Sequence, residues 1–297
     1  MIITVTCNPA IDQTVSKDGT VLDIGGKGIN VSKVLRNMEC ESLCTGLIGK
    51  DNCDIILDGL DRLGIPHHFI KTNGKVRTNL KEVIDGELYE ENRPGPDLAK
   101  EDAEKLLDYL GGFKKEIVVI SGSAPANAED DLYRKMTELL KRNGNTVILD
   151  CSGRKLQEGV KAFPDVIKPN DKEICELFGK RLEEDAMIDA CLGLGIPFVI
   201  ISLGKEGALF IRGGQVYRCP AVSTEVVSPL GAGDSMVAAV AYALQKGLGP
   251  EETITLAMAC AAVSVRSPGS SAPSFRDIRN LKKEVIIEKI RSVPLSQ

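Results

Sequence analysis

Short apolar runs and amphipathic stretches alternate along most of this chain. Residues 2–6, 43–48, 116–120, 146–149, 166–168 and 198–202 are nearly continuous in apolar, β-prone side chains, the pattern of strands covered on both faces. Between them, residues 28–39, 51–63, 99–111, 129–143, 171–178 and 183–194 carry helical periodicity, in the order and at the lengths that right-handed crossovers need. The pattern predicts a doubly wound α/β fold, a mostly parallel sheet between two helical layers.

Two stretches depart from this alternation. Residues 13–24 and about 71–93 are β-like without a following helix, and in the second the turn Asp85-Gly86 separates 76–83 from 87–90 as in a β-hairpin. Both are expected to project from the main sheet as a small β lid. A further hairpin is expected at Gly213-Gly214, followed by helices over 233–247 and 250–266 whose Ala, Ser, Val and Met content allows close packing. No repeat or linker divides the chain, so residues 1–297 are expected to form one domain carrying the lid.

Composition narrows the function classes. The 37 Lys and Arg against 42 Asp and Glu leave a formal charge of −5, so no general basic field attracts nucleic acid or an anionic membrane, and an anionic ligand must be met locally. The nine cysteines form no Cys-x-x-Cys pair and sit mostly in apolar or small-residue segments, which suits free thiols in a reducing cytoplasm. His67 and His68, the only histidines, stand side by side as a strand entry rather than as a metal site. With no leader and no long apolar run, a soluble cytoplasmic protein is expected.

Two glycine-rich segments carry candidate chemistry. Gly231-Ala232-Gly233-Asp234 opens the helix pattern at 233–247. The unpaired N–H groups and dipole of a helix start attract a phosphate there, and the glycines allow close approach. An Asp at that position can take the proton from a hydroxyl attacking phosphorus. A simple capping turn is the alternative for this tetrapeptide taken alone. Gly25-Gly26-Lys27-Gly28-Ile29-Asn30-Val31 also leads into an amphipathic helix. It satisfies neither the dinucleotide fingerprint nor the P-loop frame, and suits backbone approach to a polyhydroxylated ligand.

Together and in this order, the two segments resemble the ribokinase-like sugar kinases of the phosphofructokinase B branch. Asn8-Pro9-Ala10-Ile11-Asp12, Ser121-Gly122-Ser123-Ala124-Pro125, Lys168-Pro169-Asn170 with Glu173, and Ser202-Leu203-Gly204 extend the resemblance over nearly the whole chain. It implies the ribokinase-like three-layer fold, ATP and Mg2+ as cofactors, and a small sugar phosphate as the other ligand. It also implies Asp234 as the catalytic base, with Gly231, Ala232 and Gly233 around the transferred phosphate.

By the same resemblance Asp12, Gly26, Lys27, Asn30, Arg77, Asn92 and Ser123 bind the sugar phosphate. Asp12 accepts from hydroxyls, and Arg77 or Lys27 meets the phosphate, a role the planar guanidinium fork suits. A surface charge pairing across strands is the other reading of Arg77. Lys168, Asn170, Ser202, Gly204, Gly207, Cys260 and Ser264 are implied on the nucleotide side, although small helical residues such as Cys260 equally suit packing. Glu173 is implied near the magnesium, through water, and is equally suited to balance a helix dipole.

Val76-Arg77-Thr78-Asn79-Leu80-Lys81 and Glu90-Glu91-Asn92-Arg93-Pro94-Gly95-Pro96 look more like 1-phosphofructokinases than tagatose-6-phosphate kinases. Three features depart from the family. Only residues 13–24 separate Asp12 from Gly25, so one lid strand is expected to be short or missing, weakening a homodimer through the lid. Glu91 and Arg93 replace an apolar and an acidic residue, and Ala239 stands where Gly is commoner. Two rival readings follow: a kinase for another acceptor, such as tagatose 6-phosphate or fructose 6-phosphate, and a non-catalytic sensor of sugar phosphate or nucleotide.

Overall fold

In the computed structural model, the apolar runs form a ten-stranded sheet. Its spatial order is Glu288–Ser292, Gln215–Cys219, Ala208–Arg212, Phe198–Ser202, Val166–Ile167, Thr146–Asp150, Ile117–Ser121, Ile2–Thr6, Ser42–Gly49 and His67–Thr72. The structure describes residues 1–16, 19–84, 87–267 and 269–293, leaving aside the side chains of 16, 81–84, 87–90 and 92. Pairing is parallel from His67–Thr72 to Phe198–Ser202 and antiparallel beyond it.

Alternate residues along each strand face opposite helical layers, so nearly every position is apolar. Val119 and Ile148 pack with Val31 and Leu35 of helix Lys27–Asn37, Val237 of Ala232–Lys246 and Ala257 of Pro250–Ser264. Val118, Val147 and Leu149 face the other way, onto Leu106 of Lys100–Leu110, Met136 of Leu132–Arg142, Leu156 of Gly153–Gly159, Ile174 of Asp171–Phe178 and Ile188 of Glu184–Leu192. The doubly wound three-layer α/β/α architecture is therefore the one that alternating strand and helix patterns predict. Ala239 is fully buried among the small residues of its helix, which accommodates the methyl group.

The lid corrects the sequence reading. Ala10–Ser16 and Gly19–Gly25 are seven-residue strands paired along their whole length, from Ala10 opposite Gly25 to Ser16 opposite Gly19. The interval 13–24 thus omits no strand. Both strands extend beyond it, Ala10–Ser16 at its start and Gly19–Gly25 at its end. With Arg77–Ile84 and Glu87–Asn92 they form a four-stranded sheet. The Asp85-Gly86 turn lies outside the described residues. Residues 71 and 72 belong to the main sheet instead, where Thr72 is buried on the edge strand. The departures Glu91 and Arg93 pair with each other as exposed side chains, at 3.2 Å.

The hairpin at Gly213-Gly214 is present, both glycines having positive φ, between Ala208–Arg212 and Gln215–Cys219. The apolar pattern gives no sign of Gly153–Gly159, Phe275–Leu281 or the edge strand Glu288–Ser292. The two helices have only seven residues each, too few to establish a period, and Glu288–Ser292 is mostly exposed and polar. All nine cysteines are free thiols, and eight of them are buried.

Candidate active site

The strand order reverses at Ile2–Thr6. From it the chain builds Ser42–Gly49 and His67–Thr72 on one side, then crosses to Ile117–Ser121 and continues outward on the other. Crossovers diverge at such a switch point and leave a crevice beyond the carboxyl ends of the strands. Asn8, just after Ile2–Thr6, donates to Ser123 Oγ at 3.3 Å, just after Ile117–Ser121, and so bridges this crevice. Asp150, Lys168 and Ser202 lie at or just beyond carboxyl ends of neighbouring strands.

Two helices point their N-termini into the same region. Gly26 caps Lys27–Asn37, and Gly231, with φ 80°, caps Ala232–Lys246. Neither has a side-chain cap, so first-turn amides remain for a ligand. Positive φ costs Gly231 little, whereas any other residue there would be strained. Gly233 matters for space instead: a Cβ there would stand 3.0 Å from Lys168 Nζ. Ala232 follows the cap as the first helical residue.

Asn30 Nδ2 donates to Asp234 Oδ2 at 2.8 Å, joining the two glycine-rich segments across 204 positions of sequence. The Asp234 carboxyl is buried. Desolvation pushes its pKa up, the nearby Asp150 charge adds to this, and Lys27, Asn30 and Lys168 only partly offset them. The result is a carboxylate more basic than an ordinary Asp, as suits proton transfer near neutral pH.

Asp150 organises the charges beneath the crevice. It accepts from Lys27 Nζ at 3.3 Å through both oxygens and lies 3.2 Å from Lys168 Nζ. Burial raises its pKa, but the Lys168 and Lys27 ammoniums outweigh that and hold the carboxyl below its usual range. The Asp150 charge is likewise the chief reason that the Lys27 ammonium is held well above its ordinary value.

The other implied residues fall into place unevenly. Asn170 and Glu173 form a capping box at Asp171–Phe178: Glu173 N–H donates to Asn170 Oδ1, and Asn170 N–H donates to Glu173 Oε2, both at 2.8 Å. Ser202 bridges to Asn170 in parallel, and Gly204 follows with positive φ. On the lid, Arg77 lies in the first rung, opposite Ala10, and Asp12 in the third, opposite Asn79. Burial lowers the Arg77 pKa and the Asp12 charge opposes that. Backbone pairing sets Asn92 opposite Asn79, but its side chain lies outside the described residues.

Three residues implied on the nucleotide side are not in the open crevice. Cys260 is fully buried and Ser264 donates to the Ala261 carbonyl within its own helix. Gly207, at φ 100°, lies where a Cβ would meet the Cys219 carbonyl oxygen at 1.9 Å, so backbone packing accounts for the glycine. The sequence reading missed Asp150 and Asn79. Asp150 carries a usable signal: a charged residue directly ending the apolar run Val147-Ile148-Leu149, where solvent exposure does not account for it.

A family model described as pfkB family carbohydrate kinase matches residues 1–276. The chain is similar to a Staphylococcus aureus structure named "putative phosphofructokinase", at 29% identity and TM-score 0.87, covering 99% of this chain and 100% of that one. It also shares its fold with a Thermotoga maritima structure named "possible 1-phosphofructokinase", at 24% identity and TM-score 0.86, covering 98% of this chain and 100% of that one. Phosphofructokinase-2 from Escherichia coli, solved in complex with fructose-6-phosphate, shares the fold at 23% identity and TM-score 0.86, covering 95% of this chain and 98% of that one.

Proposed function

We propose, for a chain that belongs to the pfkB family of carbohydrate kinases, that its reaction is the ATP-dependent phosphorylation of fructose 1-phosphate to fructose 1,6-bisphosphate. Phosphofructokinase-like sugar kinase activity is the premise, and the particular sugar is the proposal. The observation that carries the kinase chemistry is the 2.8 Å contact of Asn30 with Asp234, and the choice of sugar rests on the resemblance of segments 76–81 and 90–96 to 1-phosphofructokinases. The contact sets the base of one segment against the sugar-side helix of the other.

In this reading the Asp234 carboxylate accepts the proton of the sugar 6-hydroxyl as that oxygen attacks the γ-phosphorus. The bond from phosphorus to the bridging oxygen breaks, and ADP departs with the electron pair. The amides at Ala232, Gly233 and Asp234 stabilise charge on the transferred group, while Lys27 and Lys168 offset that of the phosphates. Gly26, Lys27 and Asn30 hold the sugar from one side, and Asp12, Arg77, Asn92 and Ser123 from the other. Lys168, Asn170, Ser202 and Gly204 border the triphosphate, and the reading assigns Cys260, Ser264 and Gly207 only to packing behind it.

In this reading Glu173, one of whose oxygens accepts from Asn170 N–H, would hold magnesium. Among the described residues no group of three or more His, Cys, Asp or Glu forms a cage, and magnesium keeps several waters while borrowing one or two protein oxygens. Bound through water at the Glu173 carboxylate, it would neutralise phosphate charge. A cytoplasmic setting suits the nine free thiols. A homodimer through the lid belongs to the same reading, and Val21 and Leu22, 66% and 52% exposed on that sheet, give it apolar surface.

ADP release measured with magnesium, ATP and a panel of sugars tests the proposal. Fructose 1-phosphate is expected to give the highest kcat/KM, above fructose 6-phosphate, tagatose 6-phosphate and fructose. A higher value for another sugar phosphate reassigns the acceptor. Tight sugar-phosphate binding with no release above the sugar-free blank favours a sensor. Arg77→Ala is expected to raise the KM of the sugar phosphate roughly tenfold or more, as befits a lost charge-assisted hydrogen bond, with little change for ATP. Equal changes in both would remove Arg77 from the phosphate.

A further inference from the structure

We propose that Asn79 is a positioning residue that holds Asp12 and Arg77 apart, keeping both available to one sugar phosphate and so favouring phosphorylated over unphosphorylated acceptors. The inference rests on the sugar-phosphate reading above and gives a role to a residue outside the implied site.

The lid register places Asp23, Asp12, Asn79 and Asn92 in one row across its four strands. Asp23, Asp12 and Asn79 project to the same face, and Arg77, two residues before Asn79, shares it. Asn79 Nδ2 donates to Asp12 Oδ1 at 2.7 Å, while Asn79 Oδ1 accepts from Arg77 Nη1 at 3.1 Å. Arg77 Nε donates to the Asn8 carbonyl at 3.2 Å, and the Asn8 amide reaches Ser123. A continuous chain of contacts therefore runs from the lid carboxylate to the crevice floor, with Asn79 linking Asp12 to Arg77.

An amide is suited to that place because it donates and accepts at once. Its orientation is set by its neighbours: the flipped amide would turn its NH2 toward a guanidinium and its oxygen toward a carboxylate. Asp12 is confined on its other side too, since a Cβ on Gly25 would lie 2.3 Å from Asp12 Oδ2. Without the amide, the carboxylate and guanidinium on one face attract each other directly. Each then neutralises the group that the sugar phosphate needs, and the phosphate loses more than the hydroxyls do.

Steady-state kinetics of Asn79→Leu and Asn79→Asp test this. Asn79→Leu is expected to raise the KM of fructose 1-phosphate roughly tenfold, lower the preference for it over fructose by a similar factor, and leave the ATP KM within about twofold. Asn79→Asp keeps the shape and the Arg77 contact but sets a second carboxylate against Asp12, and is expected to raise the sugar-phosphate KM as well. An unchanged sugar KM and preference in either variant overturns the proposal, as does a parallel rise in both KM values with a fall in melting temperature. If Asn79→Leu does not fold, Asn79→Asp decides alone. Wild-type enzyme that prefers another sugar phosphate in the panel refutes only the choice of sugar, and Asn79 is then tested with that substrate. Wild type that phosphorylates no sugar phosphate overturns the reading beneath both.

Discussion

Asp234→Asn is expected to lower turnover by roughly a hundredfold or more, the scale of losing a general base, while ATP affinity stays within about twofold. The amide keeps the shape of the carboxyl, and its oxygen can still accept from Asn30. The amides at the helix start are untouched, so the nucleotide keeps its anion site. The same substitution is expected to raise thermal stability at neutral pH. Desolvation and the Asp150 charge lift the folded-state pKa of Asp234 above its unfolded value, so ionisation costs stability at neutral pH. That cost is relieved as pH falls through the folded-state pKa toward the unfolded one.

Thermal melts at neutral and acidic pH check the sign: the advantage of the variant over wild type should shrink as pH drops. In wild type, kcat should fall on the acid side with an inflection above the ordinary Asp range. Turnover unchanged by the substitution would remove Asp234 from its assigned place.

Asp150→Asn acts in the opposite direction on stability. Removing one partner of a buried ionic group costs roughly 3–5 kcal/mol when the other charge stays buried. Lys27 is 39% exposed and can turn to water, whereas Lys168 is only 6% exposed, so the lower end of that range applies. A loss of about 3 kcal/mol corresponds to a melting temperature lower on the order of 10 °C. The folded-state pKa of Asp150 is depressed. Its stabilising contribution is therefore complete above the unfolded-state pKa and lost as pH falls through the folded one, so the wild-type advantage should narrow in strong acid.

Activity should fall more than tenfold as well, on the scale of losing electrostatic stabilisation at the phosphates. With the Asp150 charge gone, a contribution that raises the Asp234 pKa is lost, and the acid limb of the rate profile should move to lower pH. A variant with wild-type melting temperature, turnover and pH profile would show that Asp150 supports neither lysine.

These two carboxylates differ in how far the sequence reveals them. Asp234 stands within the glycine-rich start of a buried, apolar helix, a local signal that names both an anion site and a base. Asp150 ends an apolar strand, and its chemistry depends on Lys27 and Lys168, which are far away in sequence. Asn79 is harder still, because only pairing between Ala10–Ser16 and Arg77–Ile84 brings it beside Asp12. The shortened interval 13–24 misled in a related way. Strand pairing, rather than the length of the interval, determines that both lid strands are present.

Local physics makes the layer order legible: strands buried on both faces must be almost wholly apolar, and helices between them must carry one apolar stripe. It likewise marks two helix mouths where anions are welcome. What the one-dimensional pattern leaves undecided is which distant polar groups meet. Folding alone brings Asn30 to Asp234, Asp150 to two lysines and Asn79 between Asp12 and Arg77, because long-range sheet pairing and helix packing set those distances. Charges buried together at such distances, more than any single residue, tune the proton affinity of Asp234.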